Sequence, residues 1–190
     1  MRLEYLPESP RNLSAQDEAI CERIRARRGP AGLLGIDRTL LHAPKIADGW
    51  SSLLSAVRTQ SSLTEDIKEI SICRPCRLNT TWTEWQPHET LLRKAPGMTE
   101  EGVEVVKQRH PHHQGSLSDR QWAVLQYADA MTGAVDVPLA LVDRLKEVGF
   151  SPQEIVEITA TVAAYNFTCR FVLALDVSEG LAAAPPWFRE

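Results

Sequence analysis

The segment LTEDIKEISICRPCRLNTTWTEWQPHETLLR, from Leu63 to Arg93, decides the predicted fold and holds most of the side chains suited to chemistry. It contains a carboxylate within an apolar helical pattern (Glu69), a Cys-Arg-Pro-Cys motif that ends at Cys76, and a Glu-Trp-x-x-His motif that ends at His88. No other segment concentrates as many groups that can move protons or electrons. We therefore expect the fold and the candidate site to be centred on this segment.

Apolar residues recur at spacings of three and four along the segment, a pattern that predicts two helices. Ile67, Ile70 and Leu78 form the apolar side of the first helix. Pro75 lies well inside that pattern, and we expect it to kink or end the helix because it removes a backbone hydrogen bond. The second helix is predicted over about residues 81–94.

Helical patterns continue on both sides of this segment. Capping residues mark the helix starts, and further helices are predicted over about residues 15–27, 44–58, 99–107, 119–130, 136–148 and 152–177. The predicted N-caps are Ser14, Thr64, Ser118 with Gln121, Asp136, and Ser151 with Glu154. The sequence contains no useful β-alternation and no glycine-rich phosphate loop. The predicted fold class is therefore all-α, with seven or eight helices.

Composition excludes several classes of protein. A chain of 190 residues with 43% hydrophobic and 24% charged residues suits one globular domain. The net charge of -4 provides no basic field for nucleic acid. No secretory signal and no run of about 18 apolar residues can be read, so no membrane span is expected. Four scattered cysteines without a signal peptide predict a reducing, cytoplasmic environment.

Glu84 and His88 are candidates for acid–base chemistry, because residues four apart on a helix share a face. A carboxylate beside an imidazole orients it and raises its basicity. Glu69, on the apolar side of the preceding helix, is a second candidate proton carrier. The structural alternatives are a capping box between Thr81 and Glu84 that leaves His88 exposed, and a surface ion pair for Glu69.

Cys73 and Cys76 have the spacing of a redox dithiol, and nearby arginines could favour a thiolate. The alternative is that both are small, core-facing side chains. The histidines at 110, 112 and 113 lie in a loop without other ligands at a useful spacing, so no metal site is predicted. Asn166 and Arg170 lie four apart in an apolar helix, where the arginine pairs either internally or with a substrate carboxylate.

These motifs, in this order, resemble the carboxymuconolactone decarboxylase and alkylhydroperoxidase D family over about residues 36–178. The resemblance rests on Leu63-Thr64 before Glu69, on the Glu84-Trp85-x-x-His88 motif, and on several shorter matches. The shorter matches are His42-Ala43-Pro44, Gly97 to Glu101, Leu117 to Arg120, Leu125 to Asp129, Tyr165-Asn166 and Arg170. Residues 1–35 then form an N-terminal arm and helix, and residues 179–190 form a C-terminal tail.

The resemblance implies an all-helical subunit that assembles into a dimer, trimer or hexamer. The family's peroxidase branch uses a Glu, then Cys-x-x-Cys, then a His four residues later. Glu69 and His88 match the first and last of these, but Thr81 and Glu84 occupy the two cysteine positions. Cys73 and Cys76 lie about two helical turns too early. The match therefore favours the branch without thiol chemistry.

Three functional hypotheses follow. The first is a cofactor-free decarboxylase, isomerase or lyase acting on a small cyclic carboxylate or polyketide-like metabolite, with His88, Glu84 and Glu69 as catalytic groups. Arg74, Arg77 or Arg170 would then hold the carboxylate of the substrate. Trp82, Trp85 and Tyr165 would line an apolar pocket. The second is a thiol peroxidase or disulfide reductase that uses Cys73 and Cys76. The third is a binding or assembly subunit without catalysis.

Overall fold

The computed structural model describes residues 1–11, 13–134, 136–178 and 183–189, and within these ranges every regular element is a helix. The α-helices are α1 (Ala15–Arg28), α2 (Gly35–Leu40), α3 (Pro44–Ser55), α4 (Glu65–Leu78), α5 (Trp82–Lys94), α6 (Glu100–Lys107), α7 (Asp119–Gly133), α8 (Leu139–Glu147), α9 (Pro152–Leu175) and α10 (Pro186–Arg189). The all-α class is confirmed. The described residues form ten α-helices rather than seven or eight, because α2 and α10 are too short to show helical periodicity in sequence.

Helix α4 is the centre of the fold. Every residue from Ile67 to Arg77 is buried, so α4 is enclosed on all sides, and it packs chiefly against α5, α7 and α9. The helix continues through Pro75 to Leu78, so the alternative in which Pro75 ends the helix is wrong. Burial of the surrounding side chains outweighs the one backbone hydrogen bond that this proline removes.

The strongest capping motifs predicted from sequence are present. Ser118 and Ser151 both form capping boxes, and Ser14 accepts a hydrogen bond from the backbone N–H of Asp17. Thr64 and Thr81 precede α4 and α5 but form no side-chain capping bond. The capping box that competed with a chemical role for Glu84 is therefore absent, and the Glu84 side chain is not held at the helix start.

The turn between α4 and α5 orients the two helices that carry Glu69 and His88. The backbone N–H of Thr81 donates to the carbonyl of Cys76 at 2.8 Å, and that of Thr80 donates to the carbonyl of Arg77 at 3.2 Å. This pair of bonds is a Schellman motif, whose central residue adopts a left-handed conformation. That residue is Thr80, with φ of 54°, although glycine is the usual choice there because a β-branched side chain is strained.

Replacing Thr80 with glycine is expected to stabilise the fold by about 1 kcal/mol, because relief of left-handed strain exceeds the entropy that glycine adds to the unfolded chain. Urea unfolding of the two proteins measures the difference. Thr83→Gly is the matched control, because Thr83 lies inside α5, where glycine is expected to destabilise by about 1 kcal/mol. Destabilisation by Thr80→Gly would contradict the proposed strain.

The two ends of the described chain pack onto the helical body. The backbone N–H of Arg2 donates to the carbonyl of Leu175 at 2.8 Å. Phe188 in α10 is fully buried, and its ring lies 5.1 Å from that of Trp82 and 5.7 Å from that of Trp85. Residues 179–182 and 190 of the predicted tail lie outside the described residues. The domain boundaries at 35/36 and 178/179 stay predictions.

Helix α9 is, by length and composition alone, long and apolar enough to cross a membrane. Core helices of soluble proteins pass the same test. In this fold α9 packs against α4 and α7, while Val156, Phe167 and Leu173 remain exposed. Helix α9 is therefore buried on only part of its surface.

Candidate functional site

The imidazole of His88 lies at the centre of a buried hydrogen-bonded group formed by three helices. Its Nδ1 lies 2.7 Å from Oε2 of Glu69 in α4, and its Nε2 lies 2.9 Å from the hydroxyl of Tyr165 in α9. All three residues are at most 3% exposed. The Tyr165 ring meets the imidazole edge-on, with centroids 5.0 Å apart. The structure thus brings Glu69 and His88 together, as the sequence predicted.

The hydrogen-bond pattern fits either of two protonation states of this group. Burial raises the pKa of Tyr165 well above its usual value, so its hydroxyl keeps its proton and can donate to Nε2 when the imidazole is neutral. Nδ1–H then donates to the Glu69 carboxylate. If the ring gains a proton, the Tyr165 oxygen can accept from Nε2–H without any heavy atom moving. The hydrogen-bonded group of Glu69, His88 and Tyr165, hereafter the relay, therefore accommodates both protonation states of His88.

Glu84 lies one turn before His88 on α5 and borders a cavity of about 490 Å³, hereafter the Glu84 cavity. The cavity walls are mostly apolar and include Leu34, Ile36, Pro87 and Val177. Burial raises the pKa of Glu84, an effect that the nearby basic side chains of His88, Arg58 and Arg28 partly offset. A carboxyl group with a raised pKa beside an apolar cavity is suited to donate a proton near neutral pH.

A second cavity, of about 420 Å³, is bordered by Glu69 and is hereafter the Glu69 cavity. Its walls include Glu69, four cationic side chains and three leucines: Arg27, Arg28, Arg58, Lys68, Leu34, Leu54 and Leu91. Leu34 borders both cavities. Glu69 therefore connects the relay to this second cavity, whereas the Glu84 side chain borders the first cavity and forms no hydrogen bond with another described residue. Glu69 and Glu84 do not share a single cavity.

Arg74 and Arg77 were predicted to hold the carboxylate of a substrate, but both bind groups of the protein itself. Arg74 is fully buried and forms a bidentate ion pair with Asp129, with N–O distances of 2.6 and 2.7 Å. Its remaining donors bind the backbone carbonyls of residues 106, 108 and 109. Arg77 donates to the carbonyls of Lys107 and Phe188 at 2.7 and 2.8 Å. Both guanidinium groups are structural in this fold.

Asn166 and Arg170 also lie away from His88. Arg170 is exposed rather than buried, and its Nη1 donates to Oδ1 of Asn166 at 2.8 Å. Asn166 in turn accepts from Asn79 at 3.0 Å. This network joins α9 to the end of α4 and does not reach the relay. It matches the alternative of internal pairing.

The tryptophans do not line the cavities beside the relay either. Trp85 is fully buried, and its Nε1 donates to Glu89 at 3.1 Å. Trp82 borders a separate cavity near Val172 and Arg189. Both rings pack against α10. Of the three aromatic residues predicted to line the pocket, Tyr165 alone lies at the relay, and there it acts as a hydrogen-bond partner.

The thiols of Cys73 and Cys76 are fully buried and are not joined in a disulfide. Burial raises the pKa of both well above the usual value, and Glu69 raises that of Cys73 further. The influence of Arg74 on Cys73 is smaller and does not reverse this effect. Cys76 instead lies 3.9 Å from Cys169, measured between sulfurs. These cysteines have the character of core side chains.

Metal ligation has no support among the described residues. Within ranges 1–11, 13–134, 136–178 and 183–189, no group of three or more His, Cys, Asp or Glu side chains could hold an ion.

Sequence analysis overlooked Arg58 and Arg27, which border the Glu69 cavity. One available signal was spacing, because Arg58 lies four residues after Leu54 and therefore shares the apolar side of its helix.

Comparison with known proteins supports the fold. No protein-family profile and no curated protein sequence matches the chain. Among solved structures, an uncharacterised peroxidase-related protein from Silicibacter sp. TM1040 is 17% identical with a TM-score of 0.73, over 93% of this chain and 90% of that one. An AhpD-core, peroxidase-related protein from Ralstonia eutropha JMP134 is also 17% identical with a TM-score of 0.73, over 98% and 94% of the two chains.

A third similar structure is the debrominase Bmp8 in complex with 2,3,4-tribromopyrrole. It is 14% identical with a TM-score of 0.69, over 93% of this chain and 91% of that one. These likenesses confirm, at the level of the fold, the resemblance inferred from Glu69, Glu84 and His88. The chain has the AhpD-like fold of peroxidase-related proteins.

Proposed function

We propose that the protein is a cofactor-free acid–base enzyme that decarboxylates, isomerises or eliminates from a small cyclic carboxylate or polyketide-like metabolite. One observation carries the proposal, namely the buried imidazole of His88 bonded at both nitrogens, to Glu69 at 2.7 Å and to Tyr165 at 2.9 Å. Burying an ionisable group costs folding free energy. The presence of several such groups beside two cavities therefore favours a chemical role.

Glu84 is the group that meets the substrate in this proposal. It borders a mostly apolar cavity of about 490 Å³, large enough for a small ring. Its raised pKa keeps a larger fraction of the carboxyl protonated near neutral pH, so that it can donate a proton to a developing carbanion. Glu84 is partly accessible to solvent, so water can return the proton that this carboxyl gives up. His88, one turn away on α5 and bonded to Glu69, provides a second acid–base group.

Similar structures give further support. The debrominase Bmp8 is described in complex with a tribrominated pyrrole, a small ring of the size that the Glu84 cavity can hold. A thiol mechanism is not favoured here, because Cys73 and Cys76 are buried and their pKa values are raised. The positions that bear cysteines in the peroxidase branch are occupied by Thr81 and Glu84.

The test is a substrate screen with the purified chain and no added cofactor. The panel contains unsaturated lactone carboxylates, cyclic β-keto acids and aromatic hydroxy acids, and proton NMR follows their consumption. We expect at least one acid to be consumed. Glu84→Gln is expected to lower kcat about 100-fold, because the amide keeps the shape of the side chain but cannot donate an acidic proton.

Glu18→Gln is the matched control, because Glu18 is exposed on α1 and does not belong to the relay. It should turn over the same acid at the wild-type rate. Unchanged kcat in Glu84→Gln would overturn the proposed role of this carboxyl. If no acid is consumed, the protein is better described as a binding or assembly subunit.

Assembly into a homo-oligomer and a cytoplasmic location are further parts of this proposal. Exposed apolar side chains on α9, among them Val156, Phe167 and Leu173, offer a surface for contact with a second copy. Light scattering of the purified protein measures the oligomeric state, and a mass equal to that of one chain would contradict the proposal.

A further inference from the structure

The Glu69 cavity carries more positive charge than its own acidic groups neutralise. Arg28 forms a bidentate ion pair with Asp37 at 2.7 and 2.8 Å, and Lys68 pairs with Glu65 at 2.7 Å. These two cations are therefore satisfied within the protein. The carboxylate of Glu69 is bonded to the imidazole of the relay.

Arg27 and Arg58 are the remaining cations at this cavity. Arg27 reaches Asp37 only at 3.6 Å, and that carboxylate is already bound by Arg28. Its Nε is buried without a hydrogen-bond partner, and burial together with the charge of Arg28 lowers its pKa. Arg58 forms no hydrogen bond or ion pair with any residue that the structure describes. If all these groups are ionised, one positive charge is left over.

Arg58 also lies at an unusual place in the backbone. It belongs to the π-helical turn Ala56–Gln60 that ends α3, and such turns occur frequently at functional sites. Its positive charge lowers the pKa of both Glu84 and Tyr165. The guanidinium therefore acts electrostatically on the relay while it borders the Glu69 cavity.

We propose that the Glu69 cavity binds a small organic acid, whose carboxylate lies between Arg58 and Arg27 and whose apolar body contacts Leu34, Leu54 and Leu91. Guanidinium groups bind carboxylates through paired N–H donors, and one monoanion neutralises the surplus charge. The volume of about 420 Å³ suits a ligand of one ring. The acid bound here is distinct from the substrate proposed for the Glu84 cavity, and its binding does not rest on the proposed function.

Isothermal titration calorimetry of the whole chain tests the binding directly, with benzoate, its neutral analogue benzamide, and sulfate as probes. We expect benzoate to bind about 10- to 100-fold more tightly than benzamide, because only benzoate forms charge-assisted hydrogen bonds. Benzoate should also bind more tightly than sulfate, because sulfate has no apolar body for the leucines to contact. The measurement is independent of turnover, so its failure is distinguishable from failure of the proposed enzyme.

Three variants assign the effect to Arg58. Arg58→Gln should lower benzoate affinity about 10- to 100-fold and leave benzamide binding unchanged, whereas Arg58→Lys should keep part of the benzoate affinity. The matched control is Arg23→Gln, an exposed arginine of α1 whose ion pair with Asp48 is far more accessible to solvent. Circular dichroism checks that each variant folds, which is expected because Arg58 makes no bond that the fold requires.

Equal binding of benzoate and benzamide by the wild type would overturn the proposal, as would full benzoate affinity in folded Arg58→Gln. Sulfate binding that equals or exceeds benzoate binding would overturn the assignment of an organic acid. Loss of benzoate affinity in Arg58→Gln alone, with Arg23→Gln unchanged, supports the site as described.

Discussion

Replacing Arg74 with alanine is expected to lower the free energy of unfolding by about 3–5 kcal/mol, because removal of one partner from a buried ion pair leaves the other uncompensated. Arg74 is fully buried on α4, and its guanidinium binds Asp129 on α7 at 2.6 and 2.7 Å. It also binds carbonyls 106, 108 and 109 in the last turn of α6 and just after it, so the substitution leaves backbone acceptors without a partner as well. Urea unfolding followed by circular dichroism measures the loss.

Arg144→Ala is the control for this effect. Arg144 is 41% exposed and pairs only with surface carboxylates, Glu147 at 3.4 Å and Asp119 at 3.7 Å. Screening by water makes such pairs worth less than about 1 kcal/mol. If Arg74→Ala also cost less than about 1 kcal/mol, the network around Asp129 would not be the structural anchor inferred here.

His88→Gln is expected to lower kcat on the acid found in the screen by about 100- to 10,000-fold, the range that a positioned acid–base group contributes. Glutamine is close in size and keeps an N–H donor for Glu69, but its amide cannot gain and lose a proton as an imidazole does. The side chain is 3% exposed, so packing should be largely retained. Steady-state kinetics on the folded variant measure the loss.

The control variant is His113→Gln, which changes an exposed histidine in the loop after α6 and should leave kcat unchanged. A structural role for His88 would reduce thermal stability without a selective loss of turnover. Wild-type kcat in a folded His88→Gln protein would therefore contradict the relay, whatever its effect on stability.

Much of the helical framework was predictable because its signals are local. The capping boxes at Ser118 and Ser151 are short motifs whose hydrogen bonds form within one turn, and both occur as predicted. Convergence of Glu69 and His88 was also predictable, since each lies at a regular interval on the buried face of its own helix. These features need no knowledge of distant contacts.

Features that depend on distant contacts were not predictable from one sequence. Arg74 was interpreted as a substrate-binding residue because its partner, Asp129, lies 55 residues away. Thr80 gave no local sign of a left-handed turn, because glycine usually occupies that position. Arg58 was overlooked because nothing in its sequence neighbourhood indicates a π-helical turn. In each case the tertiary environment outweighs the local preference.

The placement of Leu34 has a consequence for how the protein could be re-engineered. This one side chain, 42% exposed at the start of the short helix α2, borders both the Glu84 cavity and the Glu69 cavity. A peripheral leucine rather than a core residue thus contacts both cavities, of about 490 and 420 Å³. Specificity for bulkier molecules can therefore evolve at this position while the buried helix α4 stays unchanged.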